Sequence, residues 1–144
     1  MSDLRKSVDR ILESYKSAVL ARDVEAFIRL YDPDARVFDA WGVWLYAGAA
    51  AWQTAIEGWF TSLGTERVHV RFDEVQSSSD HDMATVSAIV TYAGVSADGA
   101  PVRTLQNRLT WVLRMRGHVL RIVHEHTSAP IGFDDSKAIL QRSP

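Results

Sequence analysis

Residues 49–73, AAAWQTAIEGWFTSLGTERVHVRFD, change their hydrophobic period once, and that change sets the fold class. Up to Leu63, the residues Trp52, Ile56, Trp59, Phe60 and Leu63 recur three and four apart, the wide apolar face of a helix from Ala49 to Leu63. Gly64 stands where a left-handed C-terminal cap is expected. Beyond it Val68, Val70 and Phe72 alternate with His69, Arg71 and Asp73, the period of a half-buried strand.

Upstream of the switch the chain reads mainly as helix. Leu4, Val8, Ile11, Leu12, Tyr15, Ala18 and Val19 give Asp3–Arg22 one buried face. Asp23 is placed to cap a short second helix through Tyr31, which Asp32-Pro33-Asp34 then stops. Arg36–Asp39 reads as a short strand, and Val43–Tyr46, bracketed by Gly42 and Gly48, as another. Downstream the chain reads as sheet. Ser77-Ser78-Ser79-Asp80 supplies a turn into a strand from Met83 to Ala93, and Asp98-Gly99 lies in the next loop. Strands over Val102–Arg116 and Val119–Ser128 meet at Gly117, completing a four-stranded meander. The tail from 131 to 144 is expected to be loose around a core of about residues 4–130. Three helices and four long strands bury their apolar faces together only if the sheet curls round the helices, so the expected class is α+β in one domain spanning 1–144, with room for a closed-ended cavity.

Composition supports a globular chain and removes several function classes. The 144 residues are 47% hydrophobic and 24% charged, with five Trp. A net charge of −2 lacks the basic footprint that nucleic acid requires. With no cysteine, thiolate metal sites, disulfides and cysteine nucleophiles are excluded. No apolar run is long enough for a membrane span and the first residues carry no signal-type segment, so a cytoplasmic location is expected. No Gly-rich phosphate loop or nucleophile triad is visible, and no cofactor is called for.

The order of elements, with Ala21-Arg22-Asp23, Leu30-Tyr31, Ala35-Arg36-Val37-Phe38-Asp39 and Ile122-Val123-His124-Glu125-His126, resembles the nuclear transport factor 2-like superfamily over residues 4–130. That family includes ketosteroid isomerases and SnoaL-like proteins. The resemblance implies a cone-shaped, curved, mixed sheet wrapped round three helices, the cystatin-like fold. A second likeness lies in His124-Glu125-His126-Thr127-Ser128-Ala129-Pro130, which is similar to the end of the calcium/calmodulin-dependent kinase association domain, a noncatalytic oligomerising hub. Thr127 stands where that hub carries an arginine. The fold hosts many chemistries and some domains with none, so function must be argued from the site.

The ketosteroid isomerase resemblance implies four catalytic candidates. Asp39 would carry a proton between two substrate carbons, while Tyr15 and Asn107 would polarise the carbonyl oxygen. Glu125 would be a second acid or base, if the Val123-Glu125-Thr127 side of the last strand faces the pocket. Tyr15 also lies on the apolar face of its helix and is a core residue on either account. Periodicity leaves open whether that side or Ile122-His124-His126-Ser128 turns inward. Trp41, Trp44, Trp59, Trp111 and Thr127 are the candidate ligand contacts, with Trp41 and Trp44 at the expected cavity mouth as aromatic walls suited to a flat apolar molecule. His124 and His126 share one strand face, but two ligands do not make a metal site and none is assigned. The expected partner is a small apolar organic ligand, with no nucleic acid and no membrane. A homodimer through the convex sheet face is expected, using Arg108, Thr110, Val112, His124 and His126. The competing reading is a noncatalytic, hub-like dimer that uses the same fold for association.

Overall fold

A computed structural model describes residues 3–143. Three helices, α1 (Asp3–Ala21), α2 (Val24–Ile28) and α3 (Ala49–Ser62), lie inside a curved, unclosed sheet. The strands are β1 (Tyr31–Phe38), β2 (Tyr46–Ala47), β3 (Arg67–Asp80), β4 (Met83–Val95), β5 (Pro101–Arg116) and β6 (Val119–Ser128). Their order across the sheet is β2-β1-β6-β5-β4-β3. All neighbours are antiparallel except β1 and β6, so the sheet is mixed. The helical face read from α1 is the face it buries, through Val8, Ile11, Leu12, Tyr15, Ala18 and Val19. Phe27 of α2 is fully enclosed, its ring 5.1 Å from Tyr15, 5.4 Å from Tyr31 and 6.0 Å from Phe60. This aromatic cluster joins the helices to the strands under them.

Four local expectations are corrected by long-range hydrogen bonding. The second helix stops at Ile28, not Tyr31, because Ile122 N–H of β6 captures Leu30 O at 2.8 Å and draws the chain into β1. Pro33, expected as a helix stop, lies within β1 where the pairing with β6 shifts register between Tyr31 and Arg36 and no ladder donor is needed. The segment 43–45 is not a strand, and only Tyr46 and Ala47 pair, with Val37 and Arg36. Ser77–Asp80 is not a turn. It pairs with Val86, Thr85, Ala84 and Met83, and the chain reverses at His81-Asp82, with His81 at φ +54°. An edge strand exposed to water tolerates such a polar run.

The tail, described as far as residue 143, is not loose but held against the sheet. β5 outruns β6, whose pairing with it begins only at Arg108, so residues 101–107 would have a bare edge. The tail covers part of that edge: Gln106 N donates to Leu140 O at 2.7 Å, Arg142 N to Gln106 Oε1 at 2.7 Å, and Gln141 Nε2 to Thr104 O at 2.8 Å. An unpaired backbone group shielded from water is expensive, and this pairing gives the Gln106 N–H of the part-buried strand a partner.

A bulge decides the orientation of β6. Leu113 of β5 faces Ile122 while Val112 faces His124, leaving Val123 without a partner on that side. One extra residue reverses the alternation. Leu120 and Ile122 point inward before the bulge, and Glu125 and Thr127 point inward after it. Neither of the two residue sets read by strict alternation is therefore the inner face as a whole.

Candidate active site

The concave side of the sheet and the helices enclose a cavity of about 510 Å3. It lies between α1 and α3 on one side and β4, β5 and β6 on the other, with Leu140 of the tail in its wall. The four catalytic candidates, Tyr15, Asp39, Asn107 and Glu125, all line it, although they come from a helix, the end of β1 and two further strands.

Glu125 is 2% exposed and its carboxyl is held by partners on two other strands. Tyr31 Oη donates to Oε1 at 2.5 Å, and Trp111 Nε1 donates to the same oxygen at 2.9 Å. Burial raises the Glu125 pKa to about 7 against the pull of these two donors, and the nearby Asp39 charge adds to the rise.

Asp39 follows β1, where the chain leaves the sheet. Its Oδ1 accepts from Thr127 Oγ1 at 3.1 Å, and Thr127 Oγ1 in turn accepts from Ala40 N at 2.8 Å. Burial pushes the Asp39 pKa up, and the Thr127 hydroxyl with the backbone N–H groups of Trp41 and Ala40 opposes that shift. The result is an oriented carboxylate facing the cavity.

Tyr15 is joined to Tyr92 of β4, hydroxyl to hydroxyl at 2.8 Å. Either can donate, and whichever accepts keeps its own proton for a ligand. Burial first, and in both cases the charge of Glu125, raises both phenols above their ordinary range, so they remain neutral donors. Among the described residues, Asn107 Oδ1 and Trp52 Nε1 are buried on cavity-lining residues without a hydrogen-bond partner.

The candidate ligand contacts divide. Trp41 and Trp59 line the cavity, Trp41 half-exposed and Trp59 edge-on to Tyr92 at 5.9 Å. Trp44 does not: it is 96% exposed, because 40–45 runs as an open loop instead of a strand. Trp111 is fully buried behind the wall, and Thr127 is used on Asp39, so both act on carboxyls and not on the cavity itself. Trp44→Ala is accordingly expected to change stability by less than about 0.5 kcal/mol, whereas Trp111→Ala costs about 3–5 kcal/mol, as thermal denaturation would show.

Tyr92, Tyr31 and Trp52 belong to the site although the sequence reading does not single them out for it. Tyr92 is legible, since Val86, Ala88 and Val90 place it on the inward side of β4 by alternation. Tyr31 reads locally as the end of a helix, and Trp52 only as core. His124 and His126 sit on the outer side of β6 against Phe38, their rings 4.9 and 5.4 Å from it, with His124 Nδ1 2.8 Å from Arg36 O. Among the described residues no group of three or more His, Asp or Glu converges as a metal site would require. No helix among them is long and apolar enough to cross a membrane.

A family model described as a SnoaL-like domain matches residues 8–132. No curated protein matches the chain. Among solved structures, an NTF2-like protein of unknown function from Pseudomonas putida KT2440 is 23% identical with a TM-score of 0.85, covering 100% of this chain and 99% of its own. A Xanthomonas campestris protein assigned as a calcium/calmodulin-dependent protein kinase II association domain is 18% identical with a TM-score of 0.75, over 90% and 89% of the two chains. An NTF2-like protein with a cystatin-like fold from Novosphingobium aromaticivorans is 19% identical with a TM-score of 0.74, over 92% and 85%. At these identities the likeness concerns the fold.

Proposed function

Because the chain belongs to the SnoaL-like domain family, within the NTF2-like, cystatin-like fold, we propose that its cavity binds a small, largely apolar carbonyl compound and moves a proton on it. The observation that carries this reading is the convergence of two carboxyl groups, Asp39 and Glu125, and a neutral tyrosine pair in one aromatic-walled cavity. Trp41, Tyr46, Trp52 and Trp59 make the lining aromatic, which suits a flat apolar ligand. Among the described residues of the lining the one arginine, Arg103, is paired at 2.6 Å with Glu66, so they offer a ligand anion no unpaired cation.

In this reading Asp39 removes a proton from the carbon next to the carbonyl and returns it to a second carbon. The developing enolate oxygen is met by the free hydroxyl of the Tyr15–Tyr92 pair and by the amide of Asn107. The Asn107 amide is effective here because it donates without any change of protonation state. The test is deuterium incorporation from D2O into a β,γ-unsaturated ketone, followed by mass spectrometry. Exchange that depends on Asp39 supports the reading, and a wild-type protein that exchanges no enolisable ketone sinks it.

A homodimer is proposed on the convex face, where Val112, Phe38, His124 and His126 stand together on adjacent strands. Gel filtration showing only monomer would remove that part.

A further inference from the structure

The two donors on Glu125 meet a single oxygen. Tyr31 Oη and Trp111 Nε1 both reach Oε1, while no hydrogen bond from a described residue reaches Oε2, and Glu125 is a residue of the cavity wall. An indole N–H only donates, and a carbonyl oxygen has two lone pairs. With both taken on Oε1, the proton of a neutral carboxyl belongs on Oε2. We propose that Tyr31 and Trp111 are positioning residues that make Glu125 a general acid, with its O–H on Oε2 presented to the cavity and to a neutral carbonyl ligand.

Its use in catalysis rests on the proton-transfer reading above, but the orientation is a property of the free protein. Asp39 and Glu125 share the cavity, and the charge on one opposes ionisation of the other. One carboxylate and one carboxylic acid is the arrangement that divides base from acid. The step balances without a co-reactant. Asp39 takes the proton of the C–H bond, the electron pair of that bond forms the carbon–carbon double bond, and the carbonyl π pair moves onto oxygen. Oε2 gives its proton to that oxygen, leaving a carboxylate on Glu125 that the Tyr31 and Trp111 donors stabilise. The reverse transfers, with Asp39 delivering its proton to the second carbon, restore both groups.

The test uses ligand-free protein labelled with carbon-13 glutamate. Infrared difference spectra between wild type and Glu125→Gln, at about pH 5, isolate the C=O band of the protonated carboxyl. If Oε1 is the carbonyl oxygen and accepts two donors, Tyr31→Phe and Trp111→Phe each move that band to higher frequency. Each also raises the pH at which it disappears by about one unit, because a donor to the carboxylate has been lost. Tyr31→Phe removes only a hydroxyl and carries the test if the Trp111 variant does not fold. An unmoved band in Tyr31→Phe, a midpoint that falls, or no protonated band at all overturns the proposal. Absence of ketone exchange with the band shifts present would instead overturn the enzymatic reading and leave the orientation standing.

Discussion

Asp39→Asn is expected to lower proton exchange on a β,γ-unsaturated ketone by at least about 100-fold, and up to about 10,000-fold, without lowering the melting temperature. The rate falls because an amide cannot accept the substrate proton at any accessible pH. The fold is spared because the substituted amide keeps the side-chain oxygen that accepts from Thr127, and because nothing depends on the charge: burial already disfavours the ionised form. The two readouts separate chemistry from structure. A variant that loses activity and melts several degrees lower would mean that Asp39 holds the end of β1 and is not the proton carrier. A variant with the wild-type rate would remove Asp39 from the mechanism altogether.

Glu125→Gln is expected to be about 3 kcal/mol more stable than wild type at about pH 8.5 and of similar stability at about pH 4. The folded pKa is about 7 against an ordinary value of 4.5, a gap of about 2.5 pH units at about 1.36 kcal/mol each. The shift is upward for an acid, so between those two values the folded chain keeps a proton that the unfolded chain has released. Stability contributed by this group therefore falls as pH rises from 4.5 and is fully lost above about 7. Asp39, also shifted up, acts with the same sign. The glutamine side chain keeps an oxygen for Tyr31 and Trp111 but has no charge to bury. Urea denaturation of both proteins across this range checks the difference, and parallel curves would mean that Glu125 is not a buried acid with a raised pKa.

The helices and most strands are legible in the sequence because each buries one face along its own length. Val8 to Val19 in α1 and Trp52, Ile56 and Phe60 in α3 are buried as their spacing indicates. The short elements are misplaced by local reading for the opposite reason. Residues 32–34 and 77–80 carry turn-type polarity, but strands far along the chain hold them extended. Trp44 and Trp111 show the same limit for single residues. Both are Trp next to a Val, yet one is in water and the other at the centre of the core.

The sequence alone determined the class, helices first and sheet second, because the period of hydrophobic residues is set by local backbone geometry and changes at Gly64. It also carried, through the family likeness, the four residues that line one cavity: Tyr15, Asp39, Asn107 and Glu125. Only the tertiary structure decided what surrounds them. The unpaired Val123 turns Glu125 and Thr127 inward on the same side as Ile122, the pairing of β6 with β5 sets Trp111 beside Glu125, and the docking of β1 brings in Tyr31. A bulge or a register shift depends on which partner strand is present and where it ends. No stretch of one chain records that locally.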